Sequence, residues 1–371
     1  MKAVATRIPA RLTPRLANAP IFLRSIHSTV ATPANVAPMV GTGPPPEPPA
    51  PAAAATESLH QRIARRRKQA EMLKNAKELR NATSGKAGGG LKKRFWKEVK
   101  VQEVDGALQV FLDTRPLRHP TTKQIVRIPL SKPDLASALA LEWDLLITAQ
   151  DATRQHLIPL TSLVCRALDI ADADAASGAA PSEVRTSIAT SLIRYMDTDS
   201  LLCWAPPAGE HDLKNDAGES LRDVQKRTAE DIVSFLTTHV WPGIEIKPVL
   251  DGHSIFPQEQ SPGVREIVQG WITGLDAWEL TGLERAVLAG KSVVAAARFI
   301  AEWSEGPVGK GSLNTGARFG VEEAAVATSL EVDWQTGQWG EVEDTHDVNK
   351  EDVRRQMGSV ALLVSGTTKN S

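Results

Sequence analysis

From Pro133 to Leu363 the apolar residues return every three or four positions, and only between Val99 and Ile128 do they alternate. A period near 3.6 gathers apolar side chains on one stripe of a helix, whereas a period of two lays them on one face of a strand. One short alternating region ahead of a long helical one can build only a small sheet, which helices must then cover. The expected class is α+β: a small antiparallel β-rich N-terminal domain over residues 91–130, then a larger α-helical C-terminal domain over residues 131–371.

Val99 and Val101, then Leu108, Val110 and Leu112, alternate with polar positions, and Asp105-Gly106 between them is a hairpin turn signal. A third short run, Ile125 to Ile128, completes the expected sheet. Ser131 is placed to cap a helix with Pro133 and Asp134 in its first turn and Leu135, Leu139, Trp143 and Leu146 on its stripe. Further stripes follow at Leu160, Leu163, Val164, Ala167 and Leu168, at Val184, Ile188, Leu192 and Tyr195 behind Pro181, and at Leu221, Val224, Thr228, Ile232 and Phe235 ahead of Trp241-Pro242-Gly243. Asp276 and Glu279 have capping-box spacing before Leu280, Leu283 and Val287. Val326, Leu330 and Trp334 mark the penultimate helix, and Val353, Met357, Val360 and Leu363 the last.

Ahead of this region lie two segments of different character. The first forty residues carry Lys2, Arg7, Arg11, Arg15 and Arg24 with no acid before Glu47, and Arg7, Arg11 and Arg15 share a helix side next to Ile8, Leu12 and Leu16. That is the pattern of a mitochondrial transit peptide, assigned to residues 1–30, and a matrix address follows. Residues 31–90 are a Pro/Ala-rich linker followed by a basic helix over 61–80. The basic helix lacks interleaved aromatics and is assigned no nucleic-acid or membrane role. The two cysteines, Cys165 and Cys203, lie in no metal or redox spacing and suit a reducing compartment. No apolar run approaches the length of a spanning helix, so stable membrane insertion is not expected.

The formal net charge is only −1, yet Glu331 to Asn349 holds six carboxylates, two tryptophans, one histidine and no lysine or arginine. Such a segment can be a metal site, an acid/base site or a recognition surface. Ala289-Gly290-Lys291-Ser292 fails as a phosphate loop because Arg285 occupies the position of the required first glycine. Gly309-Lys310-Gly311 meets Asn314 where a dinucleotide fingerprint needs glycine, and neither a nucleophile elbow nor a His-Glu-x-x-His occurs. Glu343-Asp344-Thr345-His346 is a single Glu-x-x-His and cannot build a dinuclear site, which needs two. A mononuclear site of Glu343, His346 and Asp347, serving a metal-dependent matrix enzyme, is the alternative reading. Asp197 and Asp199 read as local caps.

Six ordered motifs then coincide with one family. Arg94-Phe95-Trp96-Lys97-Glu98-Val99, Leu112 to Leu117, Ala140-Leu141-Glu142-Trp143-Asp144, Ile158 to Leu163, Tyr195 to Asp199, and Leu330-Glu331 through Trp339-Gly340 to His346-Asp347 resemble, in order, the mitochondrial ATP synthase assembly chaperones that escort the α subunit of the catalytic head. The resemblance covers about Arg94 to Leu363. It implies a non-enzymatic chaperone without a cofactor, holding unassembled F1 α subunit until β subunit replaces it. It also implies partner-binding roles for Glu331 foremost, with Asp333, Glu341, Glu343, Trp339, Glu142 and Trp143, the last important to fold or contact. One departure is visible: many relatives have Trp-Asp-Pro where this chain has Ala229-Glu230-Asp231. Trp334 and Trp339 are expected to anchor the acidic segment against the helices, leaving its carboxylates for the partner.

Overall fold

Strands β1 (Val99–Val104) and β2 (Ala107–Leu112) form the expected hairpin, pairing Val99 with Leu112 and Val101 with Val110. Asp105 and Gly106 between them both have positive φ, as a two-residue turn matched to strand twist requires. The computed structural model describes residues 93–311 and 318–367, which belong to one compact unit. The expected transit peptide at 1–30 and the linker and basic helix at 31–90 lie outside the described residues.

The third strand differs from expectation. β3 is Arg115–Pro116, paired with Phe111 and Leu112, and the run Ile125 to Ile128 makes only two isolated bridges, Arg118 to Ile125 and Leu108 to Ile128. β3 occupies the outer edge of β2 at its far end, which leaves Leu108 alone to exchange backbone hydrogen bonds with Ile128. Val126 donates its N–H to the Leu117 carbonyl instead. Its side chain and that of Ile128 are nevertheless buried beside Val110 and Leu112, so the hydrophobic pattern is kept while the ladder is interrupted.

Nine helices follow among the described residues: α1 (Pro133–Leu145), α2 (Pro159–Ser177), α3 (Glu183–Ile193), α4 (Leu221–His239), α5 (Val264–Gly274), α6 (Ala277–Gly290), α7 (Val293–Trp303), α8 (Val321–Trp339) and α9 (His346–Val364). The core runs continuously from Trp96 and the sheet through α1 to Leu363 and Val364 of α9. The sheet packs on α1, and α6 packs on α2, α7 and α9. Gly282 makes the α6–α9 approach possible: a Cβ there would sit 2.6 Å from Val364 Cγ1.

Several caps are other than expected. Ser131 is not the N-cap of α1: Lys132 holds that place without a side-chain bond, and Ser131 donates its hydroxyl to Glu305 Oε1 at 2.9 Å. Lys132 is buried, reaching Glu305 at 2.8 Å and the Ser365 carbonyl at 3.0 Å, so the start of α1 is tied to the chain's far end. Ser182, not Pro181, opens α3 by accepting the Arg185 N–H. The capping box of α6 is present as expected, with Asp276 and Glu279 reciprocally bonded. The buried face of α4 is rotated from the apolar stripe to Gln225, Ala229, Ile232 and Leu236. The cause is Gln225, whose amide accepts from the Ala205 N–H at 2.7 Å and donates to the Cys203 carbonyl, satisfying a buried polar group that simple periodicity places outside.

Asp199 has the most distant capping role. It is fully buried and accepts from the N–H groups of Leu201, Val293 and Val294, so it caps α7 from 94 residues away. Burial pushes its carboxyl up to about 6, against the opposing pull of Ser292 and the three amides. The folded protein therefore holds a proton that the unfolded chain, with an ordinary value of 3.8, has already released. Stability is accordingly expected to fall by about 2 kcal/mol as pH rises from about 4 to about 6, relative to Asp199→Asn, which cannot titrate. Urea unfolding of both proteins across that range checks this. A difference that widened in favour of the wild type as pH rose would show that the donors outweigh burial.

Candidate functional site

The acidic segment is built by the end of α8 and the start of α9. Glu323 accepts the Gly320 N–H at 3.0 Å and so closes the start of α8. Ala324, Ala325 and Ala327, the helix's only buried residues, let its first half lie close against its neighbours. Beyond Ala327 no residue of α8 is fully buried. The last three turns therefore stand proud of the core. Gly340, with φ of 86°, ends the helix, and Asp344, with φ of 61°, turns the chain into α9.

On this ledge Glu331, Val332, Gln335, Gln338 and Trp339 are exposed, and Asp333 and Trp334 are half-buried. Val332 and Trp339, seven residues apart, share one stripe. Val342 and Val348, beyond Gly340, are exposed as well. Glu341 and Asp344 are exposed around them, with Glu343 and Asp347 half-buried. The sequence reading missed these three valines, although Val332 and Trp339 continue the stripe of Ala325 at seven-residue spacing. Trp339 is 74% exposed, which overturns its expected anchoring role; Trp334 alone is partly covered. Burial on α8 stops at Ala327, and Trp339 stands at the helix's last position, well beyond it.

Some charges are matched locally. Gln335 donates to Glu331 at 3.1 Å, Lys350 of α9 pairs with Asp333 at 3.2 Å, and Arg354 lies 2.8 Å from Glu322. The Cys203 thiol is pushed up, first by burial and then by the charges of Asp199 and Glu331. His346 Nδ1 accepts the Val342 N–H at 3.1 Å, so one imidazole nitrogen is spent on the turn. Among the described residues no group of three His, Cys, Asp or Glu side chains converges as a metal site requires, and Glu343, His346 and Asp347 do not form one. The arrangement offers apolar contacts set among carboxylates, which is the anatomy of a recognition surface.

Glu142 and Trp143 lie elsewhere, at the joint of α1 and α2. Glu142 accepts from the N–H groups of Leu160 and Thr161 at 2.8 and 2.9 Å and from the Thr161 hydroxyl at 2.6 Å. That carboxylate caps α2, a helix whose own N-cap, Ile158, has no side chain able to do so. Burial raises its pKa, opposed by those same hydrogen bonds and by Arg355. Trp143 is buried, donates its indole N–H to the Thr161 hydroxyl at 2.9 Å and rests on Trp96 with ring centroids 5.5 Å apart. The structure thus places Glu331, Asp333, Trp339, Glu341 and Glu343 along one stretch from the last turns of α8 into the turn beyond it, and commits Glu142 and Trp143 to a joint.

No helix among the described residues is long and apolar enough to cross a membrane. Comparison with known proteins agrees with this architecture. The chain is 32% identical to the mitochondrial protein atp12 of Schizosaccharomyces pombe over 272 residues, covering 73% of this chain and 81% of that one. It is 30% identical to the mitochondrial ATP12 protein of Saccharomyces cerevisiae over 280 residues, 72% of this chain and 82% of that one. Its fold is similar to the crystal structure of Atp12 from Paracoccus denitrificans, with a TM-score of 0.50 at 22% identity over 73% of this chain and 96% of that one. A putative chaperone from Agrobacterium tumefaciens gives 0.51 at 22% identity over 79% and 97%. The sequence profile of the ATP12 chaperone protein matches residues 93–237, which contain the hairpin, the Trp96–Trp143 contact and the α1–α2 joint. On the extent of these identities, the chain belongs to the ATP12 chaperone family.

Proposed function

We propose that this protein is an assembly chaperone of the mitochondrial matrix that captures the unassembled α subunit of the ATP synthase catalytic head and gives it up to the β subunit, without catalysing a reaction. The observation that carries this reading is the ledge: Val332, Trp339, Val342 and Val348 exposed among Glu331, Asp333, Glu341 and Glu343 at the free end of α8. A subunit destined for a ring exposes apolar interface before it meets its neighbour, and that surface invites aggregation. A chaperone must cover it and still let go. Apolar contact supplies the cover, while surrounding carboxylates speed encounter and add little net affinity, which favours release.

The test is reconstitution. Purified α subunit diluted from denaturant is expected to stay soluble in a one-to-one complex with this protein, and added β subunit is expected to displace it into assembled catalytic heads. Aggregation of α subunit at the same rate with or without the protein would defeat the proposal.

A further inference from the structure

A second charged surface lies on the opposite flank of α9. Lys350 and Arg354 border α8 on one side of its buried face, and Asp352, Arg355, Gln356 and Ser359 on the other side line a cleft of 580 Å³. Gln155, His156 and the first turn of α2 form the facing wall, and Arg285 of α6 completes the lining. The two oxygens of Asp352 are taken by Arg355 and Gln356, and this pairing holds its carboxyl below the usual range. Arg285 is half-buried and makes no hydrogen bond or ion pair with any described residue. Its charge reaches Asp352 only through space. The other nearby acid, Glu142, is already occupied by the amides and hydroxyl at the start of α2. Glu284, the neighbour of Arg285, is held in a bidentate pair by Arg166. The cleft therefore has a guanidinium in excess, with its fork of donors unused.

The wall of the cleft adds a second observation. Leu163 lines it, and Leu157, which directly follows the lining residue His156, is exposed. A partly desolvated, unpaired arginine in a cleft with leucine in and next to its wall matches a polypeptide carrying a carboxylate next to apolar side chains. Guanidinium and carboxylate pair bidentately, and the leucines offer apolar contact to what flanks the acid.

We propose that the cleft around Arg285 and Arg355 binds an acidic and apolar polypeptide segment, through a surface separate from the ledge and of the opposite charge preference. This assignment does not depend on which protein the ledge captures.

The experiment uses the full chain and a fluorescent peptide of alternating Leu and Asp, read by anisotropy, beside the same peptide with Asn for Asp. The acidic peptide is expected to bind and the amide peptide to bind at least about tenfold more weakly, since charge-assisted bonds are the stronger ones. Arg285→Gln, at a position without an internal partner, is expected to lose the same tenfold while its melting temperature stays put. Arg285→Glu should instead prefer a Leu and Lys peptide, which a merely unfolded variant cannot do. Equal binding of the Asp and Asn peptides, or binding unaffected by Arg285→Gln, would overturn the proposal. So would displacement of the peptide by inorganic phosphate at equal concentration, which would make this a small-anion site. Self-association abolished by Arg285→Gln, with no peptide bound, would make the occupant a second copy and would overturn it too.

Discussion

Glu331→Lys combined with Glu341→Lys is expected to cut capture of the α subunit by about one to two orders of magnitude, because two attractive charges become repulsive at the point of encounter. Glu331 and Glu341 are both exposed, and surface substitutions of this kind usually change stability by no more than about 0.5 kcal/mol. Asp333 is left alone in this design because Lys350 uses it, so reversing it would disturb the α8–α9 contact as well. The expected signature is kinetic. Wild-type association should slow as salt is added, the double variant should be slow at every ionic strength, and both should melt at the same temperature. Adding Trp339→Ala should then speed dissociation, since that exposed indole is the largest apolar group on the ledge. Unchanged capture by the double variant at low salt would remove the ledge from the mechanism and leave the family relationship untouched.

Trp143→Ala is expected to destabilise the protein by about 3–5 kcal/mol, the range for emptying a buried tryptophan site. The loss has two parts. A large cavity opens against Trp96, and the Thr161 hydroxyl, which itself donates to Glu142, loses its donor. Trp143→Phe should keep most of the volume and lose chiefly the N–H bond, costing about 1 kcal/mol. Denaturant unfolding of the three proteins measures both steps. Comparison of capture at low temperature, where the variants remain folded, separates a joint from a contact. A joint predicts normal capture by folded Trp143→Phe, whereas a direct contact predicts a loss exceeding the change in stability. An alanine variant as stable as the wild type would refute the role given to the joint.

Much of the fold was legible because it is written in short-range periodicity. The Asp105-Gly106 hairpin, the stripe of Leu135, Leu139 and Trp143 and the capping box of α6 each depend on residues within a turn of one another. The places where periodicity misled are those where a distant partner changes the value of a side chain. Gln225 goes inside because backbone groups of Cys203 and Ala205 receive its amide, and Ser131 leaves the start of α1 for Glu305. The run Ile125 to Ile128 fails as a ladder strand because β3 already occupies part of the edge it needs.

The same division holds for the site. The carboxylates and tryptophans of the segment after Leu330 were visible as composition, and the ordered motifs around Trp96, Trp143 and Glu331 were visible as resemblance. The burial of Trp143 followed from its place on the stripe of α1, but the exposure of Trp339 was not legible, since nothing in its neighbourhood in the chain sets it apart from a buried tryptophan. Burial is a property of what lies opposite a side chain, and the sequence around a residue does not contain that surface. Glu142 shows it most plainly: an acid next to a tryptophan reads as a surface charge until α2 is placed with its first amides pointing at it. By itself the sequence determined the class of fold, most of its helices in order and the family, while α5 went unread. The tertiary structure decided which acids face outward and which close a helix, because an unpaired backbone amide gains more from a carboxylate than solvent does only where folding has brought the two together.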